Sequence, residues 1–313
     1  MSKNIAASKY DKLKNKAREQ KRNPMALYEQ DAYIAFLRRL SYSKWQDFFA
    51  LKGGMMMLVL NGDVLRPTKD VDLDGSKAMN AGQLRDALMD ILKTEIPEDD
   101  GWVFDTDPSN MDIAKDRTDR MISGAKVRFD ATLFKARVKV HIDVGFENTI
   151  TPKLQQVKMP NILDSDLTAN ILMYPVETSI AEKFRAMIFY GNDNTRLKDF
   201  YDIVKYSEII TVDSEVLGRA IKNSFRRMDM KIPEIDEIEV FKNIELESFE
   251  AQWSGFLKKN GIEASSFSDN LESLKHFIVP VITSIKNDNN FAVWDPENSE
   301  WNVYTQENVL NAL

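Results

Sequence analysis

Apolar positions along the first half of the chain change between helical and strand-like spacing. Residues 26–50 carry apolar side chains three and four positions apart, which predicts a helix. MMMLVL at 55–60 shows no alternation and predicts a short buried helix that ends at Asn61-Gly62. A strand is then predicted at 70–73, a helix at 76–92, and further strands at 102–104, 125–133 and 137–146.

From about residue 163 onward the spacing becomes helical. Helices are predicted at 177–190, 196–209, 214–228, 247–259 and 269–285, the last with Pro280 inside it. Two tryptophans around an Asp-Pro turn signal near the end predict a short hairpin or cap. We therefore predict an α+β protein with a basic N-terminal arm (1–25), a mixed α/β domain (26–160) and a helical domain with a C-terminal cap (161–313).

Composition narrows the chemistry that the chain can perform. The 313 residues include no cysteine and only two histidines, which excludes disulfides, thiol nucleophiles and zinc knuckles. Catalysis must then rely on carboxylates, lysines, arginines and hydroxyls. No apolar run approaches the roughly 20 residues that span a bilayer, and the first residues have no apolar signal region. We expect a cytoplasmic protein without membrane contact.

Charge is distributed unevenly along the chain. The net charge is −7, which argues against a general nucleic-acid coat protein. Residues 1–25 nevertheless hold eight Lys and Arg against two acids. Such a basic arm can contact phosphates locally, while a solvated N-terminal helix is the alternative interpretation.

Three features of the first half suggest a phosphate and metal site. Gly53-Gly54 lies between a short strand and a helix, where bare backbone N–H groups can approach a phosphate. Asp70 and Asp72 lie two positions apart on a strand, so both carboxylates share one face. Asp143 on another strand is a candidate third carboxylate. Oxygen ligands of this kind select Mg²⁺ or Mn²⁺, whereas an exposed polar strand edge is the alternative explanation.

A lysine on the apolar side of a predicted helix is the next candidate. Lys183 lies on the same side of helix 177–190 as Ile180 and Phe184 and therefore needs an anionic partner. That partner is either the phosphates of a ligand or a carboxylate of the next helix, Asp199 or Asp202.

The motifs together resemble a known enzyme family. LKGGMMMLVLNGDVLRPTKDVDLDG resembles the GG and D-x-D signature of DNA polymerase β-like nucleotidyltransferases. ETSIAEKFRAMI and RLKDFYDI resemble, in the same order, the helical motifs of the AbiEii toxins of type IV toxin–antitoxin systems and of the related MenT toxins. The resemblance covers about residues 45–206.

This resemblance implies a polymerase-β-like domain, a helical domain and an NTP bound between them. By position in the motifs, Gly53 and Gly54 would hold the triphosphate and Thr68 would lie beside the nucleotide as a possible control point. Asp70 and Asp72, with Asp143, would bind the metal. In the helical motifs, Lys183 would contact the phosphates, and Asp199 with Lys198 would complete the site.

The implied reaction is Mg²⁺- or Mn²⁺-dependent transfer of NMP from an NTP to a hydroxyl. Relatives suggest the tRNA 3′ end as the acceptor, growth arrest or abortive phage infection as the result, and a separately encoded antitoxin as a partner. A nucleotidyltransferase acting on a small molecule or a protein, or a non-catalytic nucleotide-binding module, is the alternative.

Overall fold

The computed structural model describes residues 2–62, 66–115, 124–163, 167–242, 246–287 and 292–303. The chain divides into two compact units, and each is described by itself. The first comprises Met1–Asn148 with Leu154–Met173, and the second comprises Thr149–Lys153 with Tyr174–Leu313. The domain boundary predicted at residue 160 therefore falls inside the first unit.

The first unit is built on a mixed sheet covered by helices. Its helices are α1 (Ser2–Glu19), α2 (Pro24–Tyr42), α3 (Met56–Asn61) and α4 (Ala81–Leu92). Its strands are β1 (Phe49–Lys52), β2 (Val71–Gly75), β3 (Val103–Phe104), β4 (Asp112–Lys115), β5 (Gly124–Leu133), β6 (Ala136–Phe146), β7 (Gln155–Met159) and β8 (Ala169–Met173). The sheet order is β3-β5-β6-β2-β1-β8-β7, with β4 paired to β5. The β2–β6 and β1–β8 pairs are parallel and the others are antiparallel.

Helix α2 covers the centre of the sheet. Asn23 caps its N-terminus and Pro24 occupies the first turn, where a missing N–H costs nothing. The helix packs against β6 and β8 and buries Phe36 and Leu37 completely. Full burial of a side chain of this size contributes about 1.5–3 kcal/mol, so this contact holds helix and sheet together.

The predicted basic arm is part of the folded first unit. Residues Ser2–Glu19 form α1, and its apolar positions Leu13 and Ala17 are fully buried. The ring of Tyr10 stacks on that of Tyr28 of α2, with centroids 5.0 Å apart. The segment is thus a packed helix with a charged outer face, which is nearer to the alternative interpretation.

Two predicted helices are shorter than expected. The helix predicted at 26–50 ends at Tyr42, because the chain turns at 43–48 and enters β1. The helix predicted from residue 76 begins at Ala81, where Asn80 and Gln83 form a capping box. Both boundaries were misplaced because apolar spacing alone marks neither the first nor the last residue of a helix.

Strands β7 and β8 were missed by the sequence prediction. The apolar spacing predicts no strand after residue 146 and helices from about residue 163, whereas the structure has strands at Gln155–Met159 and Ala169–Met173. Strand β8 reads ANILM and pairs with β1 on one side and β7 on the other. Its burial alternates, with Asn170 exposed and Leu172 half-buried, but four of the five residues are apolar. An apolar run this short cannot be distinguished from a helix by periodicity.

The second unit is mainly helical, as predicted. Its helices are α5 (Val176–Tyr190), α6 (Leu197–Ile209), α7 (Ser214–Arg227), α8 (Leu246–Asn260) and α9 (Phe267–Asn287), with Pro280 inside α9. The short strand β9 (Val212–Asp213) joins the hairpin of β10 (Ala292–Asp295) and β11 (Glu300–Val303) in a small sheet. The predicted C-terminal hairpin is therefore present, and the indole of Trp294 donates a hydrogen bond to the carbonyl of Ser207 at 2.7 Å.

Within the part of the chain that the structure describes, none of the helices combines the length and the apolar character that crossing a membrane requires.

Candidate active site

A row of four charged residues crosses the sheet of the first unit. Lys126 of β5 pairs in register with Asp143 of β6, Asp143 pairs with Asp72 of β2, and Asp72 pairs with Lys52 of β1. Residues paired directly across neighbouring strands project to the same face. The row therefore places two carboxylates side by side, with an ammonium group on each flank.

The Gly53-Gly54 turn directly follows Lys52 and packs against Asp72 of this row. Gly53 has a φ of +67°, and a β-carbon at this position would lie 1.9 Å from Asp72 Oδ2. Only glycine permits both this backbone conformation and this approach. At Gly54 a β-carbon would lie 2.8 Å from Thr68 Oγ1 and 3.3 Å from Arg66 Nη2. The turn thus lies between an acidic side chain and a buried guanidinium.

Thr68 connects this turn to Asp70. Its hydroxyl lies 3.1 Å from the Asp70 carbonyl oxygen and 3.4 Å from Asp70 Oδ1, as a donor to both. The strand predicted at 70–73 begins at Val71, so Asp70 lies immediately before β2. Thr68 is therefore placed to orient the first acid of the D-x-D motif.

Asp74, a further acidic residue of β2, is buried and hydrogen-bonded. Asp74 is 3% exposed and accepts a hydrogen bond from the Asn148 amide. A β-carbon at Gly145 would lie 3.1 Å from Asn148 Nδ2, 3.4 Å from Lys52 Nζ and 3.5 Å from Asp74 Oδ1. The small residue at 145 therefore leaves room for a buried polar cluster. Asp72 and Asp143 are more accessible, and the Asp143 side chain is 32% exposed.

The carboxylates offer oxygen ligands but do not form a closed cage. Among the described residues, no three acidic or histidine side chains are grouped so that they could hold a metal ion. The pair that strand register brings together is Asp72 and Asp143. Because Mg²⁺ is usually held by one or two carboxylates with water and substrate phosphates, this donor set fits a metal that arrives with a nucleotide.

The surroundings of the row are positively charged on the β5 side. His141 precedes Asp143 by two positions on β6 and lies opposite Arg128 of β5. Burial, and then the charges of Arg128 and Lys139, lower the pKa of His141 below its ordinary value. The imidazole is therefore neutral at pH 7, and the positive charge beside it comes from its neighbours.

The second unit contains a buried ion-pair network around Lys183. Lys183 Nζ lies 3.0 Å from Asp199 Oδ1 and 2.7 Å from Asp202 Oδ2. Arg196 Nε lies 2.8 Å from Asp199 Oδ2, and Lys198 is exposed beside it. The carboxylate partners that the sequence left as an alternative are therefore present, and the role of Lys183 at phosphates stays a prediction.

Asp199 is fully buried within this network. Burial alone raises the pKa of its carboxyl, but the charges of Lys183, Arg196 and Lys198 together outweigh burial and hold the pKa below its ordinary value. Asp199 is therefore ionised at neutral pH, and its charge depends on its basic neighbours.

Sequence reasoning missed three cations near the first-unit site. Lys52 is the polar member of the otherwise apolar strand FALK, directly before the glycine pair. Arg66 precedes Thr68 by two positions, and Lys126 begins the alternating pattern of β5. The alternation of Lys126, Arg128 and Asp130 was a usable signal, whereas the position of Arg66 beside Gly54 depends on tertiary structure.

Comparison with protein-family models identifies the family of this chain. The model of the nucleotidyl transferase AbiEii toxin family, type IV toxin–antitoxin system, matches residues 35–273. The chain belongs to the AbiEii family. The match confirms the predicted family and the nucleotidyltransferase activity, and it extends well beyond residue 206, where the sequence resemblance ended. The predicted α+β class is confirmed by the mixed sheet and helices of the first unit.

Two solved structures from Helicobacter pylori are similar to this chain. JHP933 is 14% identical to this AbiEii-family chain, with a TM-score of 0.49, 85% of this chain and 95% of JHP933 covered. A second H. pylori protein, described as a candidate nucleotidyltransferase, is 13% identical with a TM-score of 0.49, covering 85% of this chain and 99% of its own. Curated proteins gave no match to the AbiEii-family chain.

Proposed function

We propose that this AbiEii-family enzyme transfers NMP from an NTP to a hydroxyl of RNA, with the tRNA 3′ end as the acceptor. Extension of that end would block charging and arrest growth, either alone or as abortive phage infection. The observation that carries the proposal is the Asp72–Asp143 pair on adjacent strands, with Asp72 packed directly against the glycine turn. Catalysis by carboxylates also agrees with the composition, because the chain has no cysteine and only two histidines.

Asp70, Asp72 and Asp143 would hold Mg²⁺ or Mn²⁺ together with the substrate phosphates. The oxygen-only donor set of these residues suits both ions. When bound, the metal would supply charge neutralisation of the phosphates and activation of the acceptor oxygen.

Other groups, assigned by resemblance to the family, would bind and orient the substrate. Backbone N–H groups of Gly53 and Gly54, with the guanidinium of Arg66, would contact the triphosphate. By resemblance to the family, Lys183, which is paired with Asp199, and Lys198 would add positive charge at the phosphates. A positive charge at about 4 Å is worth up to about 4 kcal/mol at an effective dielectric of 20, before desolvation is subtracted.

The bond changes follow from this arrangement. The acceptor oxygen forms a bond to the α-phosphorus while the bond from that phosphorus to the bridging oxygen of the β-phosphate breaks, and pyrophosphate leaves. The hydroxyl proton passes to the carboxylate of Asp143 or Asp70. An antitoxin encoded in a neighbouring reading frame would restrain the activity, as in type IV systems.

The test is incubation of the purified protein with each labelled NTP, Mg²⁺ and total tRNA, followed by gel electrophoresis. Label on tRNA that disappears in Asp72→Asn supports the proposal. Transfer of label to protein or to a small molecule, with unlabelled tRNA, would contradict the RNA acceptor. Growth arrest that persists in Asp72→Asn without any transfer would indicate a non-catalytic binding module.

A further inference from the structure

A continuous polar face runs from Asp143 along the two longest strands of the sheet. We call it the β5–β6 face, and its rungs are Lys126–Asp143, Arg128–His141, Asp130–Lys139 and Thr132–Arg137. The intervening residues on both strands, from Val127 to Leu133 and from Val138 to Val144, are buried. Since strand neighbours alternate between faces, the β5–β6 face points away from the core.

The β5–β6 face is basic although the chain is acidic. Apart from Asp143 it carries four cations, Lys126, Arg128, Arg137 and Lys139, against Asp130 and the facing Asp112 of β4. The whole chain has a net charge of −7. A local excess of positive charge on such a chain favours a polyanionic partner at this face.

Its ion pairs are open to exchange with solvent and ligands. Arg128 Nη1 lies 3.9 Å from Asp112 Oδ2, and Lys139 Nζ lies 3.0 Å from Asp130 Oδ1. The side chains of Arg128 and Lys139 are 49% and 58% exposed. Exposed pairs of this kind contribute little to stability, so a phosphate can compete for the cations.

The order of residues across the sheet indicates from which side of Asp72 the acceptor would approach. The glycine turn follows β1 on one side of Asp72, while Asp143 and then Lys126 lie on the other side. In an in-line displacement the attacking and leaving oxygens lie on opposite sides of the phosphorus. If pyrophosphate leaves toward Gly53-Gly54, the acceptor hydroxyl arrives from the β6 and β5 side.

We propose that the β5–β6 face binds the single-stranded 3′ end of an RNA acceptor. The terminal hydroxyl lies at Asp143, and the phosphates of the preceding nucleotides lie along Lys126, Arg128 and Lys139. At about 3.4 Å per residue, Arg137 is roughly 20 Å from Asp143 along β6, which is long enough for several nucleotides. This inference rests on the proposed transfer to RNA and assigns the surface that holds the acceptor.

The charged face of α1 is the competing place for RNA. Two of its lysines serve the fold, because Lys9 pairs with the buried Asp31 at 2.7 Å and Lys16 donates to the Ile162 carbonyl at 2.6 Å. Lys14 and Arg18 lie four positions apart and are exposed. These two residues, rather than all the basic residues of α1, define the variant that tests this helix.

The test measures binding of a fluorescent single-stranded RNA of about ten nucleotides, a typical site size, at several salt concentrations. Three double variants are compared with the wild-type protein: Arg128→Gln/Lys139→Gln, Lys14→Gln/Arg18→Gln, and the control Lys44→Gln/Arg219→Gln. The control removes one lysine and one arginine from exposed ion pairs with Asp90 and Glu215. Thr132→Glu is a further variant that adds a negative charge to the face without removing a cation.

We expect Arg128→Gln/Lys139→Gln to raise Kd about tenfold. The slope of log Kd against log salt concentration should also fall by about 0.7 for each lost phosphate contact. Thr132→Glu weakens binding as well, and the control binds as the wild type does. Unchanged binding in Arg128→Gln/Lys139→Gln, an equal loss in the control, or a loss confined to Lys14→Gln/Arg18→Gln overturns the proposal. Thermal unfolding of every variant verifies that it folds.

Labelled-NTP transfer separates this proposal from the proposed function. If the wild type binds RNA through this face but never labels it, the acceptor assignment fails while the binding surface stands. If the wild type and Arg128→Gln/Lys139→Gln label subsaturating RNA equally fast, the surface assignment fails while the function stands.

Discussion

The carboxylate of Asp72 lies so close to the backbone of Gly53 that a β-carbon at position 53 would be 1.9 Å from Asp72 Oδ2. Two strands meet here, since Asp72 belongs to β2 and Gly53 directly follows β1. The contact links the glycine turn to the D-x-D motif, so a side chain added at position 53 would meet the Asp72 carboxylate.

We predict that Gly53→Ala abolishes nucleotidyl transfer. The methyl group must displace the Asp72 carboxylate, and a φ of +67° adds about 1–2 kcal/mol of backbone strain. Gly62→Ala is the matched control, because Gly62 has a φ of +74° with no atom within 4 Å of the added carbon. Transfer assays and thermal unfolding of both variants separate the two effects. Equal losses of activity would show that strain alone, and not the Asp72 contact, matters.

Asp143→Asn should lose activity, whereas Asp74→Asn should lose stability. Asp143 is partly exposed beside Asp72, so its amide variant should keep its stability and lose transfer by about 100-fold or more. Asp74 is buried against Asn148, so its amide variant should lose about 1–3 kcal/mol of unfolding free energy. Chemical denaturation and initial transfer rates check both. A destabilised Asp143→Asn with normal specific activity would remove Asp143 from the catalytic set.

How far the sequence predicts this site depends on the type of signal. Helices α5 to α9 follow from apolar residues spaced three and four positions apart, even though α6 is buried on nearly every side. Asp72 and Asp143 follow from alternating strands. The partners across the sheet do not follow, since register joins residues 52, 72, 143 and 126 from four separate segments. Strand β8 is missed for another reason, because four of its five residues are apolar and a run this short does not show which period it follows.

Lys183→Ala should destabilise the second unit. The substitution leaves the carboxylates of Asp199 and Asp202, which are at most 1% exposed, without their shared cation. Removal of one partner from a buried ion pair typically costs about 3–5 kcal/mol. Denaturant unfolding measures this cost, and NTP affinity is measured on the folded fraction. A variant of wild-type stability that no longer binds NTP would show that Lys183 serves the phosphates and not the fold.

The same network predicts a pH dependence of stability. The net shift lowers the pKa of Asp199 in the folded state from an ordinary value of 3.8. The stabilisation is therefore fully present above the unfolded pKa and is lost as the pH falls through the folded pKa. Unfolding free energies of the wild type and Asp199→Asn, measured from pH 7 down to acid, should converge below the ordinary pKa. A difference that stays constant over this range would contradict the charge-based explanation.

Within helix α1, Lys9 should be needed for stability, whereas Lys12 should not. Lys9 is the ion-pair partner of Asp31, whose side chain is fully buried and also accepts a hydrogen bond from the Trp102 indole at 2.7 Å. Lys9→Ala leaves that carboxylate without its cation, which should cost about 3 kcal/mol or more. Lys12 is exposed on the same helix, so Lys12→Ala should change stability by less than about 0.5 kcal/mol. Thermal unfolding of the two variants measures the difference, and equal stabilities would mean that the Lys9–Asp31 pair does not hold α1 to the first unit, so that only its other contacts do.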